Sequence, residues 1–159
     1  MQIRKTVDRT LETILVGIIS ILVLDVLWQV ASRYLLSDPS KFTDELAGFL
    51  LIWVGLLGAA WVTGMKQHLS IDLILQKLAE TNKKRLQLFI NFLVLLFTIA
   101  VMIVGGIWLV YTRFHLGQIS PALNLPLGYV YAVLPISGII ITYYLIDNSL
   151  ILINKTEKI

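Results

Sequence analysis

The sequence predicts an all-α membrane protein: four transmembrane helices plus a short amphipathic interfacial helix between helices two and three. Three observations lead there. The 159 residues are 57% hydrophobic and 14% charged, with a mean hydropathy of +0.83, whereas soluble domains carry about a quarter charged residues. Four runs almost free of charge are each long enough to cross about 30 Å of hydrocarbon at about 1.5 Å per residue. Lysine and arginine are distributed unevenly between the segments that join those runs.

The first run, residues 13–32, is interrupted only by Asp25, within "ILVLDVLWQVASRY", and predicts a span at about 13–34. A cleaved signal peptide fits poorly. The apolar region is too long, and Asp25 and Trp28 would sit just before a cleavage site at Ala31 and Ser32. The second run, residues 46–65, predicts a span at about 44–65. Thr43 is expected to cap it, with Asp44 and Glu45 at its positive dipole end. The segment "LSIDLILQKLAE" places Ile71, Ile74, Leu75 and Leu78 on one helical face. It is too short to span, so a helix at about 70–80 is expected to lie in the membrane interface or on the protein's own surface.

The third run, residues 86–112, is 27 residues long and predicts a span at about 86–113, tilted or projecting beyond the bilayer. It begins "NKKRL", with basic residues at the positive dipole end. That arrangement costs only about 0.3–1 kcal/mol for exposed groups, so topology outweighs it. The fourth span is expected at about 126–152, with Pro126 in its first turn and Pro135 kinking it by removing the bond to the Tyr131 carbonyl. The whole chain, 1–159, reads as one transmembrane domain.

Ten of the 13 basic residues fall on one side: Arg4, Lys5, Arg9, Lys66, Lys77, Lys83, Lys84, Arg85, Lys155 and Lys158. Arg33, Lys41 and Arg113 fall on the other. The positive-inside rule therefore predicts cytoplasmic N- and C-termini. Aromatic belts are expected at Tyr34, Trp108, Tyr111, Phe114, Tyr129 and Tyr131 outside, and at Trp61, Tyr143 and Tyr144 inside.

Several chemistries are excluded or disfavoured. The absence of cysteine removes disulfides, thiolate metal sites and cysteine nucleophiles. A net charge of +3, scattered along the chain, gives no nucleic-acid footprint. His68 and His115 are predicted on opposite sides of the membrane, so they share no metal, and neither sits mid-span as a haem ligand. No nucleophile–base set or phosphate-binding glycine loop is present; the reading is a non-enzyme with no cofactor or metal.

One polar feature stands out. Asp25, Gln29 and Ser32 share a helical face, with Trp28 beside them. A mid-membrane charge is costly, so this face should meet protein or water. Either Asp25 is an ion or proton site, or it accepts hydrogen bonds from a neighbouring helix. The second is favoured because no other charge lies within the spans. In span two, Gly48, Gly55 and Ala59 form a small-residue face, flanked by Gly58 and Ala60, that suits close helix packing within the chain or with a partner.

Taken in order, "VASRYLL", "DELAGFLLIWVGLLGAAWV", "QHLSIDLI" and "SPALNLPLGYVYAVLPISG" resemble the small, four-helix (Q-type) membrane subunit of tripartite ATP-independent periplasmic (TRAP) transporters. The specific parts are the acidic pair Asp44–Glu45, the His68-x-x-x-Asp72 spacing and the Pro-Ala-Leu…Leu-Pro loop. The run Lys66-Gln67-His68 departs from a glycine that many relatives place before the histidine.

The resemblance implies a bacterial inner-membrane subunit of a sodium-coupled secondary transporter that imports an organic anion, for example a C4-dicarboxylate or sialic acid. A periplasmic substrate-binding protein would deliver the anion to a large multi-span subunit that holds the substrate and sodium sites. The small subunit would brace that partner among membrane lipids and add docking surface. Asp25, Trp28, Gln29, Gly48, Gly55 and Ala59 are then the expected partner-subunit contacts. Arg33, Lys41 and Arg113 are the expected periplasmic docking cations. For Arg33, anchoring to lipid headgroups or pairing with Glu45 is the competing role. The alternatives are an autonomous homo-oligomeric transporter or channel using Asp25, and a membrane anchor for a redox enzyme.

Overall fold

A computed structural model of the chain describes residues 2–35, 41–65 and 80–154. The expected helix at 70–80 lies almost wholly outside them, as do His68 and Asp72. All regular structure in the described residues is helical: α1 (Gln2–Leu35), α2 (Lys41–Gly64), α3 (Glu80–Phe97), a π-helical segment (Thr98–Gly105), α4 (Gly106–His115), α5 (Leu127–Tyr131) and α6 (Val133–Asn154). Four continuous stretches are long and apolar enough to cross a membrane: Arg4–Leu35, Phe42–Gly64, Arg85–His115 and Leu127–Ile153.

The helices outrun the uncharged segments. α1 has 34 residues, about 50 Å of helix, and starts at Gln2. Its first turns are polar, and they pack against the other end of the chain. α2 starts at Lys41, so Thr43 is not its cap but a fully buried member of its first turn. α3, the π segment and α4 run on as one rod, widened through the eight π-helical residues.

The last span loses its regular helical bonding for one residue, Ala132, whose backbone stays α-helical. Pro126, with φ −59° and ψ 122°, stands before α5 instead of inside its first turn. α5 ends at Tyr131, and α6 begins at Val133 after a single intervening residue. Pro135 has no N–H for the Tyr131 carbonyl, and the helix restarts through a 3.3 Å bond from Ile136 N–H to Ala132 O.

Packing makes α6 the centre. In the most apolar part of the last span, Leu127–Ile153, 39% of residues are buried, against 11% in those of α1 and the third span. α1 lies along α2, α2 packs on α6, and α6 packs on the π segment and α3. One core cluster joins Leu11, Leu15, Leu57, Val133 and Tyr144; a second joins Ala60, Met102, Ile141 and Leu145. Close approach on the far side of α6 needs glycine: a Cβ on Gly106 would meet Pro135 Cδ at 3.0 Å, and one on Gly138 would meet Met102 and Ile103 at 3.0 Å. Tyr144 was expected as an interfacial aromatic. It is instead fully buried, because the polar start of α1 covers it.

Candidate functional site

At the end where α1 begins and α6 finishes, polar side chains satisfy one another. Arg4 donates to Asp147 Oδ2 at 2.5 Å, to Asn148 Oδ1 at 3.1 Å and to the Gly64 carbonyl. Its guanidinium lies 5.7 Å from the Tyr144 ring centre. Tyr144 donates its hydroxyl to Asp8 Oδ1 at 2.5 Å, and Asn148 Nδ2 donates to the Thr63 carbonyl at 3.2 Å. Three helices are thereby tied together at one end of the bundle. Arg4 was legible in the sequence only as a topology signal.

At the opposite end the chain between α4 and α5 folds into a compact loop. Gly117, with φ +59°, closes α4: its N–H reaches Phe114 O at 3.1 Å, and Gln118 N–H reaches Arg113 O at 3.1 Å. Ser120 N–H then bonds Leu125 O at 2.9 Å, and Leu127 N–H bonds Gln118 O at 2.9 Å. Glu45 holds the loop on α2. Its Oε2 accepts from Ser120 Oγ at 2.5 Å and from the backbone N–H groups of Ala122 and Leu123 at 2.9 and 3.1 Å. The acidic pair at the start of α2 thus has two jobs. Asp44 accepts a hydrogen bond from Gln29 of α1, while Glu45 fastens the Pro-Ala-Leu loop. Nothing local announces the Glu45 contact, because its partners lie 75 or more residues away.

The expected contact residues divide into two sets. Asp25 and Ser32 turn inward, at 7% and 3% exposure, and Gln29 beside them reaches Asp44. The polar face of α1 therefore meets α2. Ser32 Oγ donates to the Gln29 carbonyl at 2.9 Å, yet among the described residues Asp25 Oδ2 is buried without a hydrogen-bond partner. Trp28, by contrast, is 58% exposed. Gly48, Gly55 and Ala59 also face outward, and a Cβ at Gly48, Gly55 or Gly58 would meet open space. The flanking Ala60 turns the other way and is fully buried in the second core cluster.

The three docking cations also differ. Arg33 is exposed. Its guanidinium lies 6.0 Å from the Tyr34 ring centre, and it makes no ion pair among the described residues. Pairing of Arg33 with Glu45 does not occur, since the loop takes that carboxylate. Arg113 is folded inward, donating to Gln118 Oε1 and lying 5.4 Å over the Tyr131 ring. Lys41 opens α2, and its side chain is outside the described residues. His115 stacks on Tyr111 with ring centres 5.7 Å apart. Among the described residues no three His, Asp or Glu side chains converge as metal ligands would.

Four spanning helices, internally used polar groups and an open small-residue face define a multi-pass membrane subunit. Residues 22–154 match the family described as tripartite ATP-independent periplasmic transporters, DctQ component. The chain is 26% identical over 142 residues to a TRAP transporter small permease protein of Haemophilus influenzae, covering 89% of this chain and 86% of that one. It is 31% identical over 103 residues to the sialic acid TRAP transporter small permease protein SiaQ of Vibrio cholerae, covering 65% of this chain and 60% of the relative. The chain belongs to the DctQ family of small TRAP permease subunits and is a multi-pass inner-membrane transport component rather than an enzyme.

Proposed function

We propose that this subunit braces a large multi-span TRAP subunit in the inner membrane and helps dock a periplasmic substrate-binding protein, without holding substrate itself. The transported solute is an organic anion, imported with sodium through sites in the large subunit. Sialic acid is one candidate because a relative carries that name; a C4-dicarboxylate is another. Both termini lie in the cytoplasm, as the excess of Lys and Arg on their side favours. On this orientation Arg33 and the Glu45-fastened loop face the periplasm.

The observation that carries this reading is the open face of α2. Gly48, Gly55 and Ala59 are exposed beside the apolar outer face of α1, where Val23, Leu24 and Leu27 are exposed too. In a membrane, helix association depends on close backbone approach, and small residues allow it. The test is purification of the tagged chain from its native membrane in mild detergent. Recovery with a large multi-span protein at equal stoichiometry, and no anion uptake by the small chain alone in proteoliposomes, is the expected result. Recovery as a homo-oligomer that transports unaided would overturn the proposal. For docking, Arg33→Glu should lower uptake by the complete system while the membrane pair stays intact; unchanged uptake would remove that role.

A further inference from the structure

Asp25 lies ten residues before the end of α1 at Leu35, about 15 Å below that end along the helix. It is 7% exposed, and its Oδ2 has no hydrogen-bond partner among the described residues. The nearest donor of suitable length on its own face, Gln29, is spent on Asp44. Two carboxylates therefore line the upper α1–α2 groove with one neutral donor between them. Neither described cation side chain of that end pairs with Asp25: Arg33 points out over Tyr34, and Arg113 donates to Gln118 and lies over Tyr131, with its Nε buried and unpartnered.

The groove borders the open face of α2. α1 and α2 run antiparallel, so one turn inward from the Gln29–Asp44 contact brings Asp25 level with Gly48. Gly48 is exposed and has no atom within 4 Å of where its Cβ would lie. A side chain from another helix laid on the small-residue face of α2 would meet the carboxylates at that level. A bare cation is poorly served here, since no third acidic or histidine ligand converges among the described residues. A lysine or arginine brings its own hydrogen-bond donors, up to five N–H groups on a guanidinium, and a compensating charge.

We infer that Asp25, with Asp44 above it, receives a lysine or arginine side chain from a membrane helix of the large subunit, laid against Gly48. The inference rests on the partner role proposed above and specifies the chemistry of the contact. Asp25 is thus a docking acid, left incomplete in the small subunit alone and neutralised on assembly.

The test compares wild type, Asp25→Asn and Asp25→Lys by three readouts: melting of the isolated small subunit in detergent, co-purification of the large subunit, and uptake by the complete system. Asp25→Asn keeps the shape and removes the charge, so the isolated subunit should melt no lower than wild type. Recovery of the large subunit should fall about tenfold or more, because the partner's cation is left buried and unpaired. Asp25→Lys should abolish recovery. Replacing one intramembrane Lys or Arg of the large subunit by Asp or Glu should restore it. Full recovery with Asp25→Asn would overturn the inference. If uptake were lost while recovery stayed full, Asp25 would act on the translocated cation, which also overturns it. Failure of the wild-type chain to retain a large subunit would instead overturn the partner role itself.

Discussion

Two polar clusters tie α1 to the rest of the molecule, and they are finished to different degrees. At the end with the chain termini, Arg4 meets Asp147, Asn148 and a backbone carbonyl, and Asp8 meets Tyr144. In the α1–α2 groove, Gln29 and Asp44 pair while Asp25 Oδ2 is left over. The first cluster sits at helix ends and serves the chain's own fold. The second lies within the spanning part, beside the open small-residue face, where an uncompensated carboxylate is costly. The contrast is between contacts satisfied inside the chain at one end and a buried carboxylate oxygen beside an exposed helix face at the other.

The finished cluster should be the more fragile to steric change. A Cβ on Gly64 would lie 2.7 Å from Tyr144 Cζ, and Tyr144 is fully buried. Gly64→Val is therefore expected to destabilise the isolated subunit by about 1–3 kcal/mol, as overpacking does, measured as a lowered denaturation midpoint in detergent. An unchanged midpoint would mean that the N-terminal turns of α1 do not hold Tyr144 in place.

A smaller effect is expected from Tyr144→Phe, which keeps the ring and loses only the hydroxyl donated to Asp8. About 1 kcal/mol is the usual worth of such a bond. Combining Tyr144→Phe with Asp8→Ala should cost little more than Tyr144→Phe alone if the two groups act as a pair. Additive losses would show that each is held by something else.

Glu45→Gln should be more local still. It weakens acceptance from Ser120 and from the Ala122 and Leu123 N–H groups, so hydrogen exchange at those two amides should quicken. The termini end should be unaffected, and loss of protection there would show the two ends to be coupled.

The smallest effect on the isolated chain is expected at the open face. Gly55→Leu adds a side chain where nothing lies within 4 Å of the Cβ position, so the midpoint should move by no more than about 0.5 kcal/mol. Recovery of the large subunit should nevertheless fall, because a bulky residue holds helices apart. Undiminished recovery would move the interface to another face.

How much of this was legible in the sequence depended on range. Asp25, Gln29 and Ser32 recur at helical spacing, so their common face could be read directly, and Asp25 and Ser32 are both buried against α2. The small residues at Gly48, Gly55 and Ala59 could likewise be placed on one side of a helix. Whether that side met the chain's own helices could not be read, since alanine at 59 and alanine at 60 look alike until one is exposed and the other buried.

By itself, the sequence determined that four helices long and apolar enough to span would form, because each uncharged run leaves the backbone only intrahelical bonds in hydrocarbon. Composition also determined that cysteine chemistry was excluded. Tertiary structure alone decided where the polar atoms went. The Glu45 carboxylate found a loop 75 or more residues away, Arg4 found Asp147, and Tyr144 left the expected interface for the core. Helical periodicity is a local property of a few turns, whereas those contacts depend on which helices lie side by side. That arrangement is set by the summed packing of α1, α2 and the π segment around α6.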